Sequence, residues 1–123
     1  MRYSDEVLSR VREPKRVGVI PACVDVGTGE TGTLESGTVT RIQVRVSSGR
    51  VVEARFKVFG CSAAIASASL VVELIEGATK AEAQGLTPER VVQMLDLSPE
   101  REYTARMAVE AARLALRNIE ARS

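Results

Sequence analysis

The stretch VVEARFKVFGCSAAIASASL, residues 51–70, constrains the fold more than any other part of this chain. Val52, Ala54, Phe56 and Val58 alternate with Glu53, Arg55 and Lys57. A period of two is the mark of a strand with one buried face. Gly60 then allows a bend that a side chain would resist. From Ser62 to Ser69 only Ile65 is large, so another backbone can approach this predicted helix closely. Cys61 falls at the join, at or just before the first helical turn. Unpaired N–H groups and the helix dipole favour an anion at that end. An exposed thiol there suits a metal ligand or a sulfur acceptor. A buried Cys61 would be a small hydrophobe filling a tight corner.

The flanking segments supply partners for this unit. Tyr3 to Arg12 reads as a short helix: Ser4 caps it, Asp5 and Glu6 lie in its first turn, and Val7, Leu8 and Val11 form an apolar stripe. Pro14 ends it. Val19 to Gly37 is dense in glycine, serine and threonine and reads as a loop. Its GTGETG phrase has no following Walker lysine and no helix pattern, so it does not read as a phosphate loop. Thr38 to Val46 alternates, with Ile42, Val44 and Val46 on one face and Arg41, Gln43 and Arg45 on the other. Ser47-Ser48-Gly49 turns the chain into the strand that starts at Arg50, which predicts an antiparallel hairpin with one wet face. Arg41, Arg45, Arg55 and Lys57 form a basic stripe that reads as a solvated sheet face.

After Cys61 the helix is expected to run to about Glu76 and stop at Gly77. It is small or apolar nearly all round, which predicts burial. Thr79 to Gln84 reads as a helical turn closed by Gly85. Thr87-Pro88-Glu89 opens a further helix, and Ser98-Pro99-Glu100 repeats that signature. The last helix should reach about Ala121, with Thr104, Met107, Ala108, Ala111, Leu114 and Ala115 along one face. Arg113, Arg117 and Arg122 suit its C-terminal end. The expected class is α+β: one domain, residues 1–123, with a small antiparallel sheet and helices packed on one face.

Composition removes several function classes. The chain has 123 residues, a formal charge of +1, two cysteines, no histidine and no tryptophan. The charge gives no reason to expect nucleic acid or a membrane surface, and scarce aromatics argue against base stacking. Zinc hydrolases, Ser–His triads and Cys–His nucleophiles all lack their histidine. A Cys61 nucleophile would need a carboxylate or lysine as its base. The first residues lack an apolar signal core and no run approaches the ~20 residues of a membrane span, so a cytoplasmic protein is expected.

FKVFGCSAAIASASL resembles the central motif of the IscU/NifU-type iron–sulfur cluster assembly scaffolds. There an aromatic-Gly-Cys corner leads into a Ser/Ala-rich helix. YSDEVLSRVREPKRVG, VGTGETGTLESG, EAQGLT and the LSPE start of the last helix follow in family order, so the resemblance covers nearly the whole chain. It implies a transient [2Fe–2S] cluster or iron as cargo, a cysteine desulfurase as partner, and a non-enzymatic role. Three cysteines, with an Asp two residues after the first, form the family's ligand set. The middle cysteine matches Cys61. The first matches Ser36, the Asp matches Thr38, and the third matches Thr104, with Tyr103 where a histidine often stands.

Neutral hydroxyls replace thiolates poorly at an iron–sulfur site, so a three-cysteine cluster is not expected on one chain. Cys23 matches no family ligand. It reads as packed beside Pro21 and Val24, or as a loop residue able to reach Cys61. In the latter case Cys23, Asp25, Glu35 and Cys61 would make a mixed S/O site for zinc or iron. Leu97-Ser98-Pro99-Glu100-Arg101 departs from the family's chaperone-recognition phrase, so the chaperone partnership does not carry over. Two functions fit. In one, Cys61 serves cluster assembly as a ligand or persulfide acceptor, with missing ligands supplied by small thiols or a second copy in a homo-oligomer. In the other, the fold is a protein–protein or regulatory module that has discarded metal chemistry.

Overall fold

A computed structural model describes residues 3–120. Ala121 and Arg122, assigned above to the end of the last helix, lie outside the described residues. The elements in order are α1 (Asp5–Arg12), β1 (Val26–Thr33), β2 (Thr38–Ser47), β3 (Arg50–Phe59), α2 (Ser62–Ile75), α3 (Lys80–Gln84), α4 (Pro88–Leu95) and α5 (Glu102–Glu120). A short 3-10 turn, Pro99–Arg101, leads into α5. The strands form one antiparallel sheet in the order β1-β2-β3, and the architecture is the expected α+β. None of the described helices is long and apolar enough to cross a membrane.

The starts read at Ser4 and Thr87 are built as expected, whereas Ser98 makes no side-chain cap bond and its Pro99–Arg101 stretch is a 3-10 turn before α5. Ser4 Oγ accepts the Val7 N–H at 3.2 Å and donates to the Leu95 carbonyl at 2.6 Å, which docks α1 on the end of α4. Thr79 and Glu82 close a reciprocal capping box on α3. Thr87 caps α4, with Pro88 at its first position. Ile42 faces Phe56 across the central pair of strands, and Val44 faces Ala54. These side chains are buried against α2 and α5. Ala63, Ala64, Ala66 and Ala68 of α2 are fully buried, so its small residues do bring neighbouring backbones close.

Three sequence expectations need correction. Residues 26–33 form β1 rather than loop, pairing in register with β2 from Val26↔Arg45 to Thr33↔Thr38. Its glycines are packing positions: a Cβ on Gly27 would lie 2.0 Å from the Ala115 carbonyl oxygen, and one on Gly29 would lie 1.9 Å from that of Ala111. Helix α5 can rest on β1 because neither position carries a side chain. Secondly, β3 does not alternate cleanly. Pairing shifts between Arg45↔Glu53 and Val46↔Val51, a bulge that leaves Val52 unmatched. Val51 is buried in consequence, and Val52 is half exposed.

The second sheet face is only partly wet. Gln43 is buried, and its side chain takes the Ile20 N–H at 2.9 Å and donates to the Ile20 carbonyl at 3.2 Å. A buried amide is stable there because both of its polar ends are used. Two arginines of the basic stripe are neutralised rather than merely solvated. Arg45 bonds Asp25 and Glu53, while Arg55 bonds Glu53 and Glu76.

Glu76 ties three segments together. It accepts from Arg16 at 2.9 Å, from the Ala54 N–H at 2.9 Å and from Arg55 at 3.1 Å. Burial alone would raise its pKa, but the Ala54 N–H and the two guanidiniums outweigh it and hold the carboxyl below its ordinary 4.5. A lowered native pKa gives stability that is present above the unfolded value and lost as pH falls through the native one. Glu76→Gln should therefore cost about 2 kcal/mol near neutrality, the scale of hydrogen bonds to a charged group. The gap to wild type should shrink below pH 4.5. Urea melts across that range give the result directly, and a gap that did not change with pH would contradict it.

Candidate functional site

The site is the corner where β3 ends and α2 begins. Phe59 pairs with Val39 of β2. Gly60 lies so near Thr38 that a Cβ would come within 3.1–3.2 Å of its side chain. Cys61 is extended (φ −81°, ψ 171°) and is the N-cap of α2. Its carbonyl accepts the Ala64 and Ile65 N–H groups at 3.1 and 3.2 Å. Its thiol makes no capping bond to the helix and is half-buried. The strand and the helix thus fix the backbone, and Cys61 packs against the edge of the core without being fully enclosed by it.

The other family positions separate into three kinds. Thr38, at the start of β2, is buried against Gly60 and so stands beside Cys61 in space. Ser36 lies in the exposed turn from β1 to β2. Its Oγ donates to the Thr33 carbonyl at 2.8 Å, and its N–H donates to Thr33 Oγ1 at 3.1 Å, so its polar groups close their own turn. Thr104 is fully buried. Its Oγ1 donates to the Arg101 carbonyl at 2.7 Å and lies 3.1 Å from Ser67 Oγ. Its one proton goes to Arg101, so the Ser67 hydroxyl donates to Thr104.

Tyr103 takes the position next to the thiol, with its Oη 4.0 Å from Cys61 Sγ. Sequence placed Tyr103 beside the third ligand position but not against Cys61. Ser67 was not singled out at all, because its role exists only once α2 and α5 are packed together. Leu34 (73 % exposed) and Phe59 (60 % exposed) leave the corner with apolar residues in the open.

Cys23 does not join this corner. It is exposed rather than packed, and its neighbour Val24 is exposed too. Its carbonyl accepts the Val26 N–H at 3.1 Å, next to the Val26↔Arg45 end of the sheet. Cys61 follows the Val39↔Phe59 end. Six residues of β2 separate those ends, roughly 20 Å at strand rise. One chain can therefore form neither a Cys23–Cys61 disulfide nor the mixed site of Cys23, Asp25, Glu35 and Cys61. Asp25 is instead occupied by Arg45, whose nitrogen lies 2.8 and 3.0 Å from its carboxylate oxygens. That bond outweighs burial and, with help from Cys23, holds the Asp25 carboxyl below its ordinary range.

Among the described residues no three or more His, Cys, Asp or Glu side chains gather to hold a metal ion. One thiol, an exposed serine tied to its own turn and two buried threonines do not match the thiolate chemistry of a [2Fe–2S] cargo. What the corner can present is a single sulfur nucleophile on a rigid frame.

Comparison with known proteins fits the whole chain. The NifU-like N terminal domain profile matches residues 2–123. The iron-sulfur cluster assembly scaffold protein IscU of Azotobacter vinelandii is 37% identical over 120 residues, covering 96% of this chain and 94% of the relative. IscU of Escherichia coli K12 is 34% identical over 118 residues, covering 94% and 92%. The crystal structure of a nitrogen-fixing NifU-like protein (N-terminal) from Brucella abortus superimposes with a TM-score of 0.76 at 18% identity, covering 98% and 95%. The fold and family are those of a scaffold and not of an enzyme. The chain belongs to the IscU/NifU family of iron–sulfur cluster assembly scaffold proteins.

Proposed function

We propose that this scaffold-family chain serves iron–sulfur cluster assembly by accepting sulfur on Cys61 from the persulfide of a cysteine desulfurase. The observation that carries the reading is the half-buried Cys61 at the start of α2, whose thiol makes no capping bond to the helix. The Cys61 thiolate attacks the terminal sulfur of the donor persulfide. A Cys61 S–S bond forms, the donor's S–S bond breaks, and the electron pair leaves on the donor's inner sulfur as a thiolate. Any proton on the transferred sulfur is released to solvent, leaving a persulfide anion on Cys61, and no oxidant or reductant is consumed.

The test is intact mass spectrometry after incubation with cysteine desulfurase and free cysteine. Wild type and Cys23→Ser should each gain one sulfur, and Cys61→Ser should gain none. Equal uptake by Cys61→Ser, or none by wild type, would refute the proposal. The second reading, a protein–protein module without sulfur chemistry, is favoured by the hydroxyls at Ser36 and Thr104, which are used inside the fold. Failure of wild type to take up sulfur would favour it.

A further inference from the structure

The segment before Cys61's neighbour on α5 is pinned from two sides. Arg101 stacks over the Tyr3 ring, 4.4 Å from its centroid, and donates to Tyr3 Oη at 2.6 Å. Its carbonyl takes the Thr104 hydroxyl proton, and Thr104 in turn takes that of Ser67 on α2. The first turn of α5 is thereby fixed to the segment just before α1 and to α2. Tyr103 sits within that turn, with its side chain on the outer side and its hydroxyl at the Cys61 sulfur. Among the described residues, that hydroxyl has no other hydrogen-bond partner.

We propose that Tyr103 is the positioning residue for sulfur carried on Cys61, its hydroxyl donating a hydrogen bond to the terminal sulfur of the persulfide while Thr104 holds the turn in place. The proposal rests on Cys61 as the sulfur acceptor. The 4.0 Å separation from Sγ is long for a strong hydrogen bond. A persulfide adds a second sulfur about 2 Å beyond Sγ, a length that can bring it within hydrogen-bond reach of a phenol 4.0 Å from Sγ. A phenol O–H is a donor suited to an anionic sulfur. Thr104 then has a purpose unrelated to ligating iron: its hydroxyl is turned inward, and the function at this end of α5 passes to the residue before it.

The test loads wild type, Tyr103→Phe, Thr104→Ser and Thr104→Val with sulfur from cysteine desulfurase and cysteine. After the donor is removed, loss of the persulfide is followed by intact mass. Tyr103→Phe and Thr104→Val should shorten its lifetime by about threefold to tenfold, the effect of one hydrogen bond, while Thr104→Ser should restore it. The ultraviolet difference spectrum should show a tyrosine change on loading wild type that is absent in Tyr103→Phe. If Thr104→Val does not fold, Tyr103→Phe and the spectrum still decide the matter. A Tyr103→Phe lifetime equal to wild type, or an unchanged tyrosine band, would overturn the assignment. Should wild type take up no sulfur, the sulfur reading fails by itself, and iodoacetamide labelling of Cys61 then reads the pair. A tyrosine change on labelling supports the contact, and its absence removes the contact as well.

Discussion

Gly29→Ala is expected to destabilise the protein by about 3 kcal/mol, at the upper end of overpacking substitutions. The added Cβ would lie 1.9 Å from the Ala111 carbonyl oxygen and 2.6 Å from the Ala115 nitrogen. Both are backbone atoms of α5, so no side-chain rotation relieves the overlap. The helix must lift from β1, and that loosens the Thr31 Oγ1 bond to the Met107 carbonyl and the Thr28 N–H bond to Asn118. Against a total stability on the order of 5–15 kcal/mol, the melting temperature should fall by roughly 10 °C or more. Gly85→Ala is the matched control. Its Cβ would meet only ordinary contacts at 3.4 and 3.6 Å, and its φ of −83° suits alanine. That variant should stay within about 1 kcal/mol of wild type or gain slightly. Thermal melts of the two proteins measure the difference, and similar melting temperatures would refute the close-packing account of β1.

Phe56→Ala should cost about 4 kcal/mol, within the range for a buried Phe reduced to Ala. The chain has two phenylalanines, two tyrosines and no tryptophan. Phe59 and Tyr103 are exposed, whereas Phe56 is 2 % exposed. It faces Ile42 across the sheet, and its backbone holds the chain before it through the Arg16 carbonyl and the Gly18 N–H. The remainder of the buried core is aliphatic, and alanines supply much of its α2 side, so small neighbours there cannot swing in to fill the space. Phe56→Leu should lose much less, because it keeps most of the volume. Urea unfolding reports both values. A Phe56→Ala loss below about 1.5 kcal/mol, the level of a tolerated volume-conserving swap, would mean the site collapses freely.

The corner itself was legible in sequence because its determinants are local. Alternation in β3, a glycine, and a run of small residues specify strand, bend and buried helix without reference to anything distant. The caps at Ser4 and Thr87 were legible for the same reason, since each satisfies N–H groups within its own first turn. Strand β1 was hidden because glycine has low strand propensity. Its glycines matter only when α5, some eighty residues later in the chain, lies across them. The bulge that turns Val51 inward likewise depends on the register with Val46.

Sequence alone therefore determined the α+β class and the family. Those follow from residue identity and short-range pattern. Tertiary structure decided the separation of the two cysteines, because β1 and β3 run the same way on either side of β2, with Cys23 before the start of one and Cys61 after the end of the other. It also turned Thr104 into the core and set Tyr103 against Cys61. Both follow from how α5 is rotated and pinned on α2, and long-range packing fixes that rotation in a way no neighbouring residue can.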